Sequence, residues 1–528
     1  MPAPAEPQTG SGAGPLVRFE EQAVMRGIAH GFGFTADMNA MVRQFAGGAA
    51  AGDVDGDGDI DVFIVRGNTA PNLLYLNDGR GSFRDGASDA GLSYLGAAAA
   101  GGALVNARLS GPVLGDLDGD GDLDLFVGGL EGDGARVLVN DGGGVFTDVT
   151  DGSGLDRMGA EHTVSAALGD YDGDGDLDLA LAHWGTPRAA GAVGETETLW
   201  RNDSTGGSGS VRFTDVTASA GIEVALDLNG VQGPDHDYTF APSFADIDGD
   251  GDQDLLMVSD FNGTRAFVNA GDGTFRGVAD QAVFTDENGM GSAVGDIDND
   301  GDPDWFVSSI NGNRLYENRS GGFALSPLTA DVARGGWGWG SCFADFDGDG
   351  RLDIYQTNGW FAGEDPSVSE YVEDASHLWM AQAGGGFADG AEAAGMVDQL
   401  QGRGVVCDDF DGDLDVDVLL VTIEAGQAAL LWINQVADAN MLALDVLDAG
   451  GGGAAVGARV QVSVGGVTQT RWVAVNSNFI SHNSARLYLG LGAATVADRV
   501  DVTWPDGRTR VLTDVAAGQR LVITPPDP

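Results

Sequence analysis

The string "GDVDGDGDID" (residues 52–61) puts five carboxylates, Asp53, Asp55, Asp57, Asp59 and Asp61, within nine residues. Like charges this close repel unless something neutralises them. Gly56 and Gly58 between them are turn residues, so the segment reads as a loop and not as a strand. A loop that gathers carboxylate oxygens around one point suits a hard cation, and calcium takes six to eight oxygens at about 2.3–2.6 Å. Magnesium demands near-octahedral geometry and keeps several waters, so it suits such a cage less well.

Nearly the same string returns six more times. The further copies hold Asp116, Asp118, Asp120, Asp122 and Asp124; Asp170, Asp172, Asp174, Asp176 and Asp178; Asp246, Asp248, Asp250, Asp252 and Asp254; Asp296, Asp298, Asp300, Asp302 and Asp304; Asp345, Asp347, Asp349, Arg351 and Asp353; and Asp409, Asp411, Asp413, Asp415 and Asp417. Repetition at fixed internal spacing argues for an ion over a merely solvated acidic loop. An EF-hand would need Glu at position 12, where Ile64 stands inside an apolar strand-like run, "VFIV" (62–65). Tandem calcium β-helix repeats would recur every nine residues, whereas these copies start 49 to 76 residues apart. The expected site is a strand–loop–strand cage. Positions 1, 3, 5 and 9 bind through side chains and position 7 through its backbone carbonyl. Six or seven Ca²⁺ ions are expected, one per copy.

What positions these loops is equally regular. Position 2 is apolar or aromatic in every copy (Val54, Leu117, Tyr171, Ile247, Ile297, Phe346, Phe410), and an apolar run follows position 9. Each loop therefore lies between two buried strands. A second motif shares the period, as in "LLYLNDGRGSFRD" (73–85) and "AFVNAGDGTFRGV" (266–278): a strand, an Asn/Gly turn, and a strand opening on Phe. Four strands per unit make a propeller blade. The last unit lacks its final strand, and "LVRFEEQAV" (16–24) supplies it, which closes a ring. The expectation is an all-β chain: a flexible segment 1–15, a seven-bladed β-propeller over 16–435, and a small β domain over 436–528, where short alternating segments are split by Gly and "PDG" (505–507). That last segment holds no acidic loop and is expected to unfold separately.

There are 81 acidic against 26 basic residues, a net charge of −55, and the loops carry 34 of the acids. This excess argues against nucleic acid and anionic membranes as partners. No run of 18 apolar residues occurs, so no membrane insertion is expected. Loops of this calcium type fill where calcium is millimolar, which points to a secreted or periplasmic protein. The first 15 residues are no signal peptide, so a signal is expected to have been removed. Cys342 and Cys407 lie three and two residues ahead of their loops, in neighbouring blades. A disulfide is open to them in an oxidising compartment, but their opposite parity favours two buried thiols.

Taken together these strings resemble FG-GAP (VCBS) repeats, the integrin-α type of calcium blade. "GWGWGSCFADFDGDGRLDIYQTNG" (336–359) and "GRGVVCDDFDGD" (402–413) are similar to the cartilage acidic protein family. "VGARVQVSVGG" (456–466), "SNFISHNSARLYLGLG" (477–492) and "VDVTWPDGRTR" (500–510) resemble the ASPIC/UnbV domain. The resemblance implies a secreted calcium-binding protein and no defined chemistry. Two residues depart from the repeat. Arg351 stands at position 7 of the sixth loop, which is harmless if that position offers only its carbonyl. Leu414 stands at the glycine of position 6 in the seventh loop, so that site is expected to be the weakest.

The segments ahead of each inner strand should meet around the propeller axis, opposite the loops. They bring His30, His162, His236, Tyr238, Trp337, Trp339 and Arg403 as candidates for a funnel site. The long third-to-fourth gap holds "DLNGVQGPDHDYTF" (227–240), read as a loop. Two function classes follow. The preferred one is a monomeric recognition or adhesion module for a glycan or an extracellular protein. The other is an enzyme, of the natural-product tailoring kind, that holds a small molecule in the funnel. Converging histidines and a carboxylate would favour the enzyme; a funnel filled by apolar side chains would favour recognition. No H-E-x-x-H, G-x-S-x-G, P-loop or C-x-x-C occurs.

Overall fold

A computed structural model describes residues 17–35, 38, 42–96, 106–159, 161–187, 197–206, 209–222, 236–277, 281–360, 366–436, 439–450 and 452–527. The segment 1–15 lies outside them, as does most of 227–240.

The first unit sets the pattern. Gly48–Gly52 is the inner strand, followed outward by Asp61–Val65, Leu73–Leu76 and Arg84–Asp85, all antiparallel. The acidic loop joins the first two strands. Inner strands start at Leu109, Thr163, His236, Gly289, Gly338 and Gly402 in the units that follow. Each inner strand packs on the next, and Gly402–Asp408 returns to Gly48–Gly52, so the sheets form a closed ring. Strand pairing closes the ring as expected: Phe19–Glu21 pairs with Leu430–Asn434 and completes the last sheet (Phe19↔Asn434, Glu21↔Trp432).

Two features depart from the expected pattern. The third and fourth units fuse into one eight-stranded sheet, because Asp178–Pro187 and His236–Ala245 are long enough to pair with each other (Trp184↔Tyr238). His236 and Tyr238 therefore belong to a strand and not to a loop. The Cys residues form a disulfide, Cys342–Cys407, with Cα atoms 6.6 Å apart. The opposite parity of the two residues favours the disulfide and not two separate thiols. In consecutive blades, the side chain facing forward from one sheet and the one facing back from the next point to opposite faces of their own sheets, so opposite parity brings them together.

Residues from Met441 onward build two further sheets. One has Met441–Val446 between Leu487–Gly490 and the parallel strand Gln519–Ile523. The other runs Val467–Trp472, Arg459–Val464, Val496–Thr503, Thr509–Ala516. The alternation of Arg459–Val464 turns Val460 and Val462 inward, where they meet Leu442, Leu444, Val500 and Trp504.

This C-terminal domain is not a separate appendage. Its segment 475–484 runs through the propeller axis and bonds to all seven inner strands. Val475 O accepts from Leu168 N (2.9 Å), Asn476 Oδ1 from Phe244 N (2.7 Å), and Asn478 O from Ser292 N and Ser341 N. Ser481 Oγ accepts from Ala49 N (2.9 Å), His482 Nε2 from Leu114 N (2.8 Å), and Asn483 Oδ1 from Cys407 N (2.9 Å). The inner strand of a blade has no partner on its axial side, so its N–H and C=O groups need another. The segment supplies it, and glycine makes room: a Cβ on Gly48 would lie 1.8 Å from Ile480 O.

Candidate metal loops and the packed axis

Each loop is wound by its own carboxylates. Asp53 Oδ1 accepts from Gly56 N (2.9 Å) and Oδ2 from Gly58 N (2.8 Å). Asp170, Asp246 and Asp409 repeat both bonds at their own positions 4 and 6. The position-5 carboxylate takes the N–H of position 7, as Asp57 does from Asp59. These bonds require left-handed backbone at positions 4 and 6. Glycine supplies it almost everywhere, but Asn299 (φ 59°) and Leu414 (φ 77°) adopt it too. Asn tolerates that conformation; for Leu it is strained.

Position 9 is the buried anchor. Asp61 accepts from Val54 N (3.1 Å) and, across the sheet, from Asn77 N (2.8 Å). Asp124, Asp178, Asp254, Asp304, Asp353 and Asp417 make the same two kinds of bond. Burial outweighs these bonds and pushes the carboxyls up, Asp61 and Asp124 to about 8 and Asp178 to about 9. Asp353 and Asp417 are also raised well above the usual range by burial. At neutral pH an anion here needs a proton or a cation beside it.

The remaining carboxylates converge. Oxygens of Asp53, Asp55 and Asp57, of Asp116, Asp118 and Asp124, and of Asp170, Asp172 and Asp178 lie within 4.8 Å of one another in each set. Asp246, Asp248 and Asp250, and Asp296, Asp298 and Asp300, do the same. One oxygen of each position-3 carboxylate in five loops is buried with no hydrogen-bond partner: Asp55, Asp118, Asp172, Asp248 and Asp411. Oxygen-only donors with orphaned acceptors fit a hard cation such as calcium. Position 7 stands apart. The carboxylates of Asp59, Asp122 and Asp252 lie against the hairpin glycines Gly79, Gly142 and Gly271, which leaves only the carbonyl for an ion.

A residue of the hairpin turn completes the arrangement. Asn77 donates through Nδ2 to Ile60 O (3.1 Å) and Phe410 O (2.8 Å), and Asn140 reaches Val54 O (2.8 Å) in the preceding unit. Asn202, Asn269, Asn318 and Asn434 link their neighbours alike. The turn signal marked these asparagines as hairpin residues; their reach into the adjacent loop was not legible. The sixth unit has Ala381 at this place, which still donates its N–H to Asp353.

The C-terminal domain covers the loop face. Arg486 and Arg520 share Asp445 and both donate to Gly58 O of the first loop. Gly492 N donates to Gly348 O (2.8 Å), and Tyr488 receives Asp409 N (3.3 Å) while donating to Asp408 (2.9 Å). Around Gly173, Gly175, Gly249 and Gly251 of the third and fourth loops a Cβ would meet no atom within 4 Å.

At the opposite end the funnel is filled. Phe45, Phe240, Trp339, Trp360, Phe479 and Ile480 form one core cluster there. Arg403 is fully buried against it, its guanidinium 4.0 Å from the Trp339 ring centre, donating to Gln44 and Gly359. Tyr238 packs edge-on to Trp184 and Phe261. His30 is exposed and meets Tyr75 Oη (3.1 Å), and the His162 carbonyl holds Trp184 N. Of His236 only the backbone is described. Trp337 stays partly exposed at the mouth, stacked on Trp360 (3.9 Å, 13°) and edge-on to Tyr371 (5.4 Å).

Family comparisons agree with this layout. The FG-GAP-like repeat model matches residues 53–127, 116–181, 246–307 and 298–355, and the ASPIC and UnbV model matches 450–528. No curated protein matches the chain. Solved structures similar to it include an Agrocybe aegerita lectin that recognises non-reducing terminal N-acetylglucosamine (17% identity, 71% of this chain and 88% of that one, TM-score 0.41). They also include the exotype rhamnogalacturonan lyase YesX (15%, 73% and 71%, 0.37) and an ancestral GH74 enzyme (10%, 89% and 62%, 0.38). Among the described residues no helix is long and apolar enough to cross a membrane. With both sets of motifs matched, the chain carries FG-GAP-like repeats followed by an ASPIC and UnbV domain.

Proposed function

We propose that the protein is a calcium-stabilised recognition module of an extracellular or periplasmic compartment, acting as a monomer on a glycan or a protein. Calcium fills the acidic loops and stiffens the ring; the aromatic mouth of the funnel receives the partner. The observation that carries the reading is the Trp337 shelf. It is a partly exposed ring held flat by Trp360 and Tyr371 above a packed core, a preorganised apolar face that a sugar ring or an aromatic side chain can cover. The filled axis favours recognition over a reaction chamber. The disulfide suits an oxidising compartment.

The test is binding to a glycan array and to extracellular protein fractions in millimolar calcium, with Trp337→Ala beside the parent. A partner held by the parent and released at least tenfold more readily by the variant supports the reading. Equal binding by both moves the site elsewhere, and turnover of a captured small molecule would favour the enzyme reading.

A further inference from the structure

The sixth loop differs from the other six in its position-7 residue, and its surroundings add a second cation and a donor from the C-terminal domain. Its position-7 residue, Arg351, does not simply point away as the aspartates there do. It turns back and pairs with Asp349, the position-5 carboxylate. Its position-1 residue, Asp345, is 1% exposed and accepts three backbone N–H groups: Asp349 at Oδ1 (3.0 Å), and both Gly350 (2.8 Å) and Gly490 (3.0 Å) at Oδ2. Asp116 and Asp170 also accept three, all from their own loops; at Asp345 the donor Gly490 comes from the C-terminal domain and takes the second lone pair of Oδ2. A second cation, shared with the fifth loop, is Arg471. It is 8% exposed, and its field acts on Asp345 and on Asp296 of the fifth loop. Its Nε has no hydrogen-bond partner, and its other nitrogens reach only Thr470 O and Gln469 Oε1. A buried guanidinium without an ion pair is costly unless carboxylates nearby stay uncompensated by metal. The orphaned position-3 oxygen seen in Asp55, Asp118, Asp172, Asp248 and Asp411 has no counterpart in the two loops that Arg471 faces, at Asp347 or at Asp298.

We infer that the sixth loop has exchanged its calcium ion for two guanidinium groups, Arg351 of the loop and Arg471 of the C-terminal domain. Four carboxylates face two permanent cations there, where other loops offer five. A divalent ion entering this cage would meet both cations and find Asp349 and half of Asp345 already engaged. The fifth loop shares Arg471 but keeps all five aspartates, so it retains its ion. The exchange also has a structural effect. It ties the C-terminal domain to the ring at a point that holds when calcium is scarce.

The inference rests on the calcium reading, and site-resolved counting separates the two. Calcium per chain is measured by elemental analysis after equilibrium dialysis against 1 mM Ca²⁺ (roughly the extracellular regime). Four proteins are compared: the parent, Asp347→Asn, the double variant Arg351→Asp/Arg471→Gln, and the triple variant with Asp347→Asn added. The parent is expected to bind six ions and Asp347→Asn to bind the same six. The double variant should bind seven, and the triple variant should return to six. A parent that binds two or fewer overturns the calcium reading itself. A parent that loses one ion on Asp347→Asn overturns only the exchange, and this arm decides even if the double variant fails to fold.

Discussion

Asn77 of the first unit donates its side-chain amide to the carbonyl oxygen of Phe410 in the last, 2.8 Å away and 333 residues along the chain. The bond lies beside the seam where Phe19–Glu21 completes the last sheet, so two different devices close the ring. Asn77→Ala removes the donor to Phe410 O and Ile60 O, both buried. At about 1 kcal/mol per bond plus the cost of stranded acceptors, it should destabilise the fold by about 2–3 kcal/mol in denaturant titration. The converse change, Ala381→Asn, should stabilise by up to about 1 kcal/mol, since it would place the missing amide near Ile297 O. Equal midpoints for parent and Asn77→Ala would mean that the seam strand alone holds the ring.

Leu414 sits at φ 77° and still donates its N–H to Asp409 Oδ2 at 2.9 Å, as the glycines of other loops do. The loop keeps its winding and the side chain bears the strain. Leu414→Gly should relieve about 1 kcal/mol, less what the freer unfolded chain takes back. A higher melting temperature in chelator, where no ion contributes, is the expected readout. An unchanged or lower value would place the strain elsewhere.

The blades were readable because their information is local. Asp-x-Asp-x-Asp-Gly spacing fixes a loop, apolar runs on both sides fix two strands, and the Asn/Gly turn fixes the other two. Segment 475–484 was not readable, although "NSNFISHNS" (476–484) is rich in amides and hydroxyls. Its partners are backbone N–H groups of seven strands, which leave no pattern in their own side chains. The disulfide is hidden from the sequence for a geometric reason: parity within one strand does not tell how the next blade is turned against it. The repeat pattern gives Arg351 a role only through its carbonyl, and Arg471 carries no mark of the loops it faces.

Ion binding in the loops is expected to be coupled to the C-terminal domain, contrary to what a loop-free tail suggests. The domain bonds to every inner strand and to Gly58, Gly348 and Asp409 of three loops. At ten times a Kd of about 10⁻⁴–10⁻³ M, one site stabilises by about 1.4 kcal/mol, and six independent sites by about 8 kcal/mol. That is comparable to the net stability of a whole domain. Calorimetry of the full chain should show chelator lowering the transitions of both parts together. A transition of residues 441–527 that stays in place while the propeller shifts would refute the coupling.

His482 should make the axial segment 475–484 sensitive to acid. Its ring is fully enclosed; Nε2 accepts from Leu114 N, so the proton sits on Nδ1, which donates to Asn483 O at 2.7 Å. Both nitrogens are engaged only in the neutral form. Burial pushes the imidazole down to about 4 from an ordinary value of 6.5. The folded chain therefore binds fewer protons than the unfolded one between those values, and stability falls as pH drops through that window. The contribution is complete above pH 6.5 and worth about 3 kcal/mol at its limit. Charged groups share the cavity that His482 lines: Asp53, Asp116, Asp122 and Asp445, with Arg486 and Arg520. The carboxyls raised by burial, such as Asp61 and Asp124, titrate in the opposite sense, because the fold favours their protonated form. The difference between parent and His482→Gln isolates the imidazole. Denaturant midpoints of both proteins, measured from pH 7.5 to 4.5 at saturating calcium, should converge as the pH falls. The parent loses its advantage while the variant, lacking the group, does not. Parallel curves across that range would show that His482 takes up its second proton equally in the folded and the unfolded chain, which overturns this account.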